Sequence, residues 1–344
     1  MTDKRFFAAS NTERGFSSYF KEIFRDRADR CYIIKGGPGT GKSRLMRELA
    51  EAAEGVGYGV EYYYCSSDPD SLDGIFAERG GDSFAVLDGT APHAEDVISP
   101  GCVDNILDLG RFWDSRILRE RRHEIGDLGE KKKKAYSSAY RALSAYGALT
   151  RLADALVAEC VDTAAIAEEC AKIAVNLKPL PKLRTPLSAI GMKGVRSFDT
   201  FAEDARHILC VTDVRGYGCS YLYMDALLRA IGSCRMAPDP ILAERTTSIL
   251  ADGVAVVCKS ITEAGENAVD ISDFVDRRVF LTRMDRVDKL RLLADGALDE
   301  AKILFSEAGA AHMKLEKIFV CAMNFAEKEA YSAELCAKIA RGDL

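Results

Sequence analysis

One short segment of the chain has the residue types and the spacing of a phosphate-binding loop. Gly36, Gly41, Lys42 and Ser43 stand in the Walker A order Gly-x-x-x-x-Gly-Lys-Ser. Glycines let backbone N–H groups point inward at an anion, and the start of a following helix adds a positive dipole end. Lysine would neutralise the β- and γ-phosphates, and the serine hydroxyl would ligate Mg²⁺. The segment predicts ATP and Mg²⁺ as ligands, bound by Gly36, Gly37, Pro38, Gly39, Thr40, Gly41, Lys42, Ser43 and Arg44.

Asp88 is the second residue with a predicted role in this chemistry. It ends the apolar run Phe84-Ala85-Val86-Leu87, where a Walker B aspartate would hold the Mg²⁺ shell. The alternative interpretation is that Asp88-Gly89 is a turn dipeptide. Asp88 therefore joins Ser43 as a predicted metal ligand and Lys42 as a predicted catalytic residue. Many motor-type ATPases have a glutamate directly after this aspartate, but here the next residue is Gly89. The residue after Asp88 therefore does not supply the catalytic base that would activate the attacking water.

Two segments offer candidates for that base. His93 follows the 84–87 run, and Asp68, Asp70 and Asp73 follow the apolar run at 60–65. Both segments leave the carboxyl ends of predicted strands, where open α/β sheets bind their ligands. A solvated loop histidine and a turn with a helix cap are the alternative interpretations. We predict His93 as the third catalytic residue and keep the aspartates as alternatives.

The elements around these residues predict an α/β fold. The short β-rich run at 31–35 ends in glycines, as a buried strand would. Helical spacing follows in Leu45, Met46, Leu49, Ala50 and Ala53. The runs at 60–65 and 84–87 supply further strands. This alternation predicts a P-loop NTPase-like, mostly parallel sheet covered by helices.

Strand signals disappear beyond residue 113. Apolar residues at 140, 143, 146, 149, 152 and 156 keep a helical period, which predicts a hairpin of two long helices over about 113–178. A second arm of this type is expected at about 288–340. Pro179, Pro181 and Pro186 mark a linker. The predicted domains are therefore 1–185 and 186–344, each with a helical arm.

The two halves contain short matching segments in the same order. Arg14-Gly15-Phe16 matches Arg215-Gly216-Tyr217 at an offset of 201 residues, and the 84–87 run matches 254–257 at an offset of 170. The offset falls across the interval that holds the Walker A segment in the first copy. We therefore predict a duplication whose degenerate second copy has lost its phosphate-binding loop. Chance similarity between short segments is the alternative.

Composition and charge indicate a globular protein without a membrane or nucleic-acid signal. The chain is 48% hydrophobic and 29% charged, with a net charge of −6, which gives no global attraction to phosphate backbones or anionic lipid. The run Lys131-Lys132-Lys133-Lys134 lies beside Glu130 on a predicted helix and is interpreted as a solvated face. No apolar run reaches the ~20 residues that cross a bilayer. The 11 cysteines include no C-x-x-C pair and favour reduced thiols, so we expect a cytoplasmic location.

Three segments together carry a resemblance to a known family. They are KGGPGTGKS at 35–43, CSSDPDSLDG at 65–74 and LDGTAPH at 87–93. The chain resembles a family of bacterial ATP-binding proteins built from two tandem P-loop ATPase-like halves, over nearly its whole length and most strongly over 5–114. The resemblance implies ATP as the ligand and two nucleotide sites, whereas this sequence retains one Walker A segment.

Three functional hypotheses follow from these features. The first is a slow ATPase or nucleotide-dependent switch whose helical arms report the nucleotide state to a protein partner. The second is a P-loop small-molecule kinase, in which Asp68, Asp70 or His93 faces an acceptor instead of water. The third is a non-catalytic, nucleotide-stabilised scaffold, which the degenerate second half favours.

Overall fold

The chain folds around two six-stranded sheets with helices packed against them. A computed structural model describes residues 4–91, 95–259 and 268–342, and His93 lies outside these ranges. In each sheet five strands run in one direction and one strand runs in the other, so the sheets are mixed, with mostly parallel strands. This architecture confirms the predicted α/β class. In the described ranges, no helix has the length and apolar character needed to cross a membrane.

The first sheet places the strand that precedes the Walker A segment between two parallel neighbours. The first eight strands are β1 (Lys4–Phe7), β2 (Ala9–Thr12), β3 (Gly15–Ser18), β4 (Arg30–Lys35), β5 (Gly59–Tyr64), β6 (Leu72–Arg79), β7 (Asp82–Asp88) and β8 (Asp104–Asp108). Their order in the sheet is β1-β5-β6-β7-β4-β8, with β6 antiparallel to both neighbours, while β2 and β3 form a separate hairpin. The carboxyl ends of β4, β7 and β8 therefore meet at one edge, where ligands of such sheets bind.

The second sheet repeats this arrangement. The remaining strands are β9 (Leu183–Arg184), β10 (Ser188–Gly191), β11 (Gly194–Ser197), β12 (His207–Thr212), β13 (Arg235–Pro238), β14 (Thr246–Ala251), β15 (Val254–Cys258) and β16 (Ala268–Asp270). Of these, β10 and β11 form a separate hairpin and the other six form the sheet. The sheet order is β9-β13-β14-β15-β12-β16, and each pair of neighbours has the same relative direction as its counterpart in the first sheet. By position in the sheet, β12 therefore corresponds to β4.

The helical arms differ from the predicted hairpins. The helices are α1 (Lys42–Gly55), α2 (Ser115–Glu120), α3 (Arg122–Ala158), α4 (Thr163–Ala174), α5 (Thr200–Asp204), α6 (Ser220–Ile231), α7 (Arg277–Leu281), α8 (Met284–Cys321) and α9 (Phe325–Arg341). Each arm contains one long helix followed by a shorter one. The long helices α3 and α8 pack against each other, so the long helical pair forms between the two halves instead of within each arm.

The two halves also exchange their shorter arm helices. Ile166 of α4 belongs to the core that contains Tyr223 of α6, whereas Leu335 of α9 belongs to the core that contains Leu45 of α1. The apolar stripe of each short helix is thus buried against the other half. A boundary near residue 185 therefore does not divide the chain into two self-contained units.

The first sheet packs against α1 on one face and against a core shared with the second sheet on the other. Along β4, Tyr32 and Ile34 point to the core that contains α1, while Cys31 and Ile33 point to a core shared with the second sheet, as the period-two geometry of a strand requires. Residues of β12, β13 and β15 enter the same shared core. The second sheet therefore packs on the face of the first sheet that is opposite α1.

A buried ionic cluster joins the two sheets. Glu61 of β5 accepts from Arg27 Nη1 at 2.8 Å and from Arg235 Nη1 of β13 at 2.7 Å, and Tyr63 Oη donates to it at 2.7 Å. Burial raises the pKa of Glu61, but the guanidiniums of Arg235 and Arg27 outweigh it and lower the pKa to about 2. The carboxylate is therefore ionised and fully paired at neutral pH.

Candidate functional site

Residues 36–41 connect β4 directly to α1 in a tight loop. Gly39 and Gly41 have φ values of 72° and 80°, in the left-handed region that glycine adopts without steric cost. Thr40 Oγ1 donates to Gly37 O over 2.9 Å and ties the loop across its base. The Walker A spacing thus has the strand–loop–helix setting that it needs, and the free N–H groups of the first turn of α1 lie at the loop.

The Lys42 side chain folds back over this loop. Its Nζ donates to Gly36 O at 2.7 Å and to Gly37 O at 2.9 Å, and it lies 3.4 Å from Asp88 Oδ2. Asp88 reaches this place because it ends β7, which pairs in parallel with β4 and puts Asp88 beside Ile34. The structure therefore brings together two of the three predicted catalytic residues, at the carboxyl ends of adjacent strands.

Asp88 is a buried carboxylate, only 8% exposed, that accepts from Thr90 N at 2.9 Å and Thr90 Oγ1 at 2.6 Å. Burial raises the pKa of Asp88; the Lys42 ammonium opposes this rise and the neighbouring Asp73 carboxylate adds to it. Asp73 is itself only 4% exposed, and it comes close because β6 and β7 are adjacent. Two carboxylates thus converge near one ammonium, which is a suitable environment for a divalent cation.

Ser43, the other predicted metal ligand, already has two donors. Its Oγ accepts from Leu72 N at 3.0 Å and from the Arg47 guanidinium. Arg47 also donates to Asp70 O at 2.8 Å, so it bridges α1 and the segment before β6. Because these donors use both lone pairs of the hydroxyl, Ser43 can ligate a cation only after Arg47 moves away.

One of the predicted nucleotide contacts, Arg44, is peripheral in this structure. Arg44 is 65% exposed, and its guanidinium pairs with Glu48 at 2.9 Å and with Glu329 at 3.2 Å. Successive residues of a helix point about 100° apart, so the place of Arg44 beside Ser43 in the sequence does not direct its side chain at the loop. Pro38 is half-buried within the loop.

The carboxylates of Asp68 and Asp70 belong to a turn. Both pair with Lys193 Nζ, at 2.9 Å for Asp68, which also accepts from Ser71 Oγ at 2.9 Å. Burial raises the pKa of Asp68, but the hydrogen bond from Lys193 helps to bring it below its usual value. These contacts favour the turn interpretation for both residues. Among the aspartates of this segment, Asp73 is the one whose charge raises the pKa of Asp88.

Helix α8, from the second half, packs directly on the loop. A Cβ on Gly39 would lie 2.8 Å from Val320 Cγ2 and 2.9 Å from Glu316 O. A Cβ on Gly37 would lie 3.2 Å from the indole of Trp113, which precedes α2. The loop therefore touches the arms through positions where a side chain would not fit.

Lys328 places an ammonium beside the start of α1. This residue of α9 is 1% exposed, its Cε would lie 3.5 Å from a Cβ on Gly41, and its Nζ is 3.4 Å from Glu48 Oε2. Sequence reasoning missed it, because Lys328 stands among the alternating charges of an ordinary amphipathic helix. The exchanged helix thus adds positive charge to the loop from outside.

The second half contains a loop at the equivalent position. Residues 213–219 follow β12 and lead into α6. Gly216 and Gly218, with φ values of 68° and 72°, are the fourth and sixth residues after the strand, as Gly39 and Gly41 are in the first half. By place in the fold, Arg215-Gly216-Tyr217 therefore lies where the first half has the Walker A segment, and not where it has the predicted match Arg14-Gly15-Phe16. The second half therefore has a strand–loop–helix segment at this place, without the Walker A residues.

In the second loop, backbone N–H groups are already bound by an aspartate of the loop itself. The Asp213 carboxylate accepts from Tyr217 N at 2.8 Å and from Gly218 N, two of the N–H groups available in this loop. Cys219, seventh after the strand like Lys42, is fully buried, and burial raises the pKa of its thiol to about 12. The second loop thus contains its own anion and a neutral thiol where the first has an ammonium.

A matched pair of glycine substitutions tests the contact between the first loop and α8. Gly39→Ala adds a left-handed alanine and a clash with the α8 backbone, whereas Gly216→Ala adds the same strain with nothing within 4 Å of the new Cβ. We expect Gly216→Ala to cost roughly 1–2 kcal/mol and Gly39→Ala to cost at least ~1 kcal/mol more in the free energy of unfolding. Denaturant melts measure both, and equal losses would contradict the contact.

Three further polar groups face the loop region from the long helices. Lys132 of α3 and His312 of α8 are joined by a contact of 3.2 Å between Nζ and Nδ1. Tyr136 lies one turn beyond Lys132 and near Ser67, and burial raises the pKa of its hydroxyl to about 12. The interpretation of residues 131–134 as a solvated face is therefore wrong for Lys132, which is half-buried. Sequence spacing gave no signal for it, because the α3–α8 contact is tertiary.

Comparison with known proteins adds no further constraint, since no family model, no curated protein and no solved structure matches the chain.

Proposed function

We propose that the first half of the chain binds ATP with Mg²⁺ at residues 36–43 and acts as a slow ATPase or a nucleotide-dependent switch. The main supporting observation is that Lys42 Nζ lies between the loop carbonyls of Gly36 and Gly37 and the buried carboxylate of Asp88. In a Walker A loop this ammonium faces the β- and γ-phosphates. The loop geometry, the acidic strand end and the motif therefore agree.

Each group of the site has a task in this proposal. Backbone N–H groups of the loop bind phosphate oxygens, and Lys42 exchanges its carbonyl acceptors for them. Asp88 and Ser43 would hold Mg²⁺, with Ser43 released from Arg47. The cation would supply charge neutralisation at the phosphates. The donor set suits Mg²⁺, which proteins often bind through one or two carboxylates together with substrate phosphates.

We propose slow turnover because the chain lacks the glutamate that directly follows the Walker B aspartate in many motor-type ATPases and activates the attacking water. Gly89 stands directly after Asp88. Asp73 is the buried carboxylate coupled to Asp88, and it is the candidate that we propose for orienting a water molecule. His93 keeps its place as a predicted catalytic residue.

We also propose that the two halves arose by duplication, as in the tandem P-loop ATPase-like proteins that the sequence resembles. The common strand order, the common strand directions and the equivalent loops support this origin. The Asp213 carboxylate and the neutral Cys219 disfavour phosphate in the second loop. One nucleotide per chain is therefore expected.

A small-molecule kinase is the second candidate. Tyr136, Ser67 and Asp68 lie together on the side of the loop that faces the long helices, where hydroxyl and carboxylate groups can bind an acceptor. The γ-phosphoryl group would then pass to an acceptor hydroxyl instead of water. A non-catalytic scaffold would bind nucleotide without either reaction, and its α3–α8 pair would serve as the surface for a protein partner.

Calorimetry with the full chain tests the proposed site. We expect ATP to bind with Mg²⁺ at one site per chain, followed by slow phosphate release. Binding without release would favour the scaffold, and release of ADP only with an added metabolite mixture would favour the kinase. Failure of ATP to bind at all would refute the proposal.

Asp88→Asn tests the proposed metal ligand. We expect the gain in ATP affinity on adding Mg²⁺ to shrink at least ~10-fold in this variant, because a neutral amide replaces the carboxylate. Asp70→Asn is the control, since Asp70 pairs with Lys193 on the surface. If Asp88→Asn keeps the full Mg²⁺ dependence, the assignment of Asp88 is wrong.

A further inference from the structure

One face of α8 crosses the region above the P-loop, residues 36–43. Gly309 lies against the Met192 side chain, and Met192 N donates to Ser67 O at 3.0 Å. Two turns later, Glu316 lies against Gly39. His312 stands between these two contacts, at the spacing that keeps it on the same helical face. Its ring therefore lies over the gap between the Ser67 segment and the P-loop.

Lys132 reaches the same gap from α3. Its Nζ donates to His312 Nδ1 at 3.2 Å, and Tyr136, on the same face of α3, lies near Ser67. An ammonium has no acceptor, so Nδ1 must carry the lone pair. The imidazole thus fixes the direction of the Lys132 side chain.

Lys132 brings a second ammonium to the region of Lys42, where Asp88 and Asp73 are the neighbouring carboxylates. Burial lowers the pKa of Lys132, and the Lys42 ammonium lowers it further. Burial and Lys132 together lower the pKa of His312 to about 4, so this ring is neutral at pH 7. Within the ranges that the structure describes, Asp88 pairs with Lys42, but no carboxylate oxygen lies within 4 Å of Lys132 Nζ.

We propose that Lys132, positioned by His312, contacts the terminal phosphate of a bound nucleoside triphosphate and makes the site prefer triphosphate over diphosphate. This inference rests on the proposed nucleotide site at residues 36–43. A multiply charged anion between Lys42 and Lys132 would turn their repulsion into two attractive contacts. Because Lys132 belongs to α3 and His312 to α8, the long helical pair would then sense whether the terminal phosphate is present.

The test compares the affinities of Lys132→Met for a non-hydrolysable ATP analogue and for ADP, both with Mg²⁺, by calorimetry on the full chain. Methionine keeps the apolar stem of lysine as far as the ε position and removes the ammonium. We expect analogue affinity to fall roughly 10- to 100-fold while ADP affinity stays unchanged, as the loss of one charge-assisted hydrogen bond predicts. Lys133→Met is the matched control, because Lys133 is exposed on the same helix.

Two more variants separate charge from position. Lys132→Arg should retain most of the preference for triphosphate, and His312→Leu should lose part of it, because the ammonium is no longer held in one direction. An unchanged ratio of analogue to ADP affinity in Lys132→Met would overturn the role of Lys132 while leaving the nucleotide site intact. If the unmodified chain binds neither nucleotide, the proposed function fails, and this inference with it.

Discussion

Replacing Lys42 by alanine is expected to lower the affinity for ATP with Mg²⁺ at least ~100-fold, because it removes a charge-assisted contact to two phosphates at a partly buried site. The loss of stability should be small. Lys42 is the ion-pair partner of Asp88, but burial already raises the pKa of Asp88, so this carboxylate can take up a proton when the ammonium is removed. Calorimetry measures the affinity, and a thermal melt checks the fold.

The matched control for Lys42→Ala is Cys219→Ala, the equivalent position of the second loop. We expect Cys219→Ala to leave ATP affinity unchanged, because Asp213 already occupies that loop. Trp113, the only tryptophan in the sequence, provides a second readout. Its indole lies against Gly37, so its fluorescence should respond to ATP in the unmodified chain and not in Lys42→Ala. Equal ATP affinity in both variants would remove the basis for the proposed site.

Replacing Glu61 by glutamine is expected to destabilise the chain by roughly 3–5 kcal/mol, because two guanidiniums would remain in the shared core without their carboxylate. Arg27 and Arg235 come from different halves, so the loss falls on the contact between the sheets. Chemical denaturation at pH 7 measures it. The matched control is Glu203→Gln, which removes a more exposed pair with Arg5 between the same halves and should cost less than ~1 kcal/mol.

The pH dependence of the same variant gives an independent check. The pKa of Glu61 is lowered to about 2 in the folded chain, below its ordinary value of 4.5. Its contribution to stability is therefore complete above about pH 5 and is lost as the pH falls towards 2, by about 3 kcal/mol in all. Glu61→Gln should show a correspondingly smaller loss of stability over this range. Parallel pH profiles for the two proteins would contradict the ionised cluster.

The local parts of the fold were predictable because their signals are local. The 31–35 run and the helical spacing from Leu45 to Ala53 correspond closely to β4 and α1, and Asp88 does end a neighbouring strand. β6 was missed, because Gly74 inside it weakens a strand signal. That glycine is needed where the Phe24 ring packs against the strand, which is a tertiary cause.

The non-local parts of the candidate site had no sequence signal. Lys132 and Lys328 look like ordinary surface lysines until α8 and α9 are placed against the first half. The second loop was overlooked for a different reason. Asp213 stands where the first loop has Gly36 and Cys219 where it has Lys42, so the second loop shows no Walker A motif, although both loops have left-handed glycines at the same two places.

The exchange of α4 and α9 also determines when the first half can finish folding. Glu48 of α1 is contacted by Lys328 and Cys336, which follow it by 280 and 288 residues in the chain. During synthesis the Walker A loop and α1 therefore leave the ribosome long before the helix that covers them. Such long-range closure slows folding and exposes apolar surface in the meantime. The apolar side chains that Leu335 and Ile339 of α9 cover should therefore stay uncovered until α9 has been synthesised.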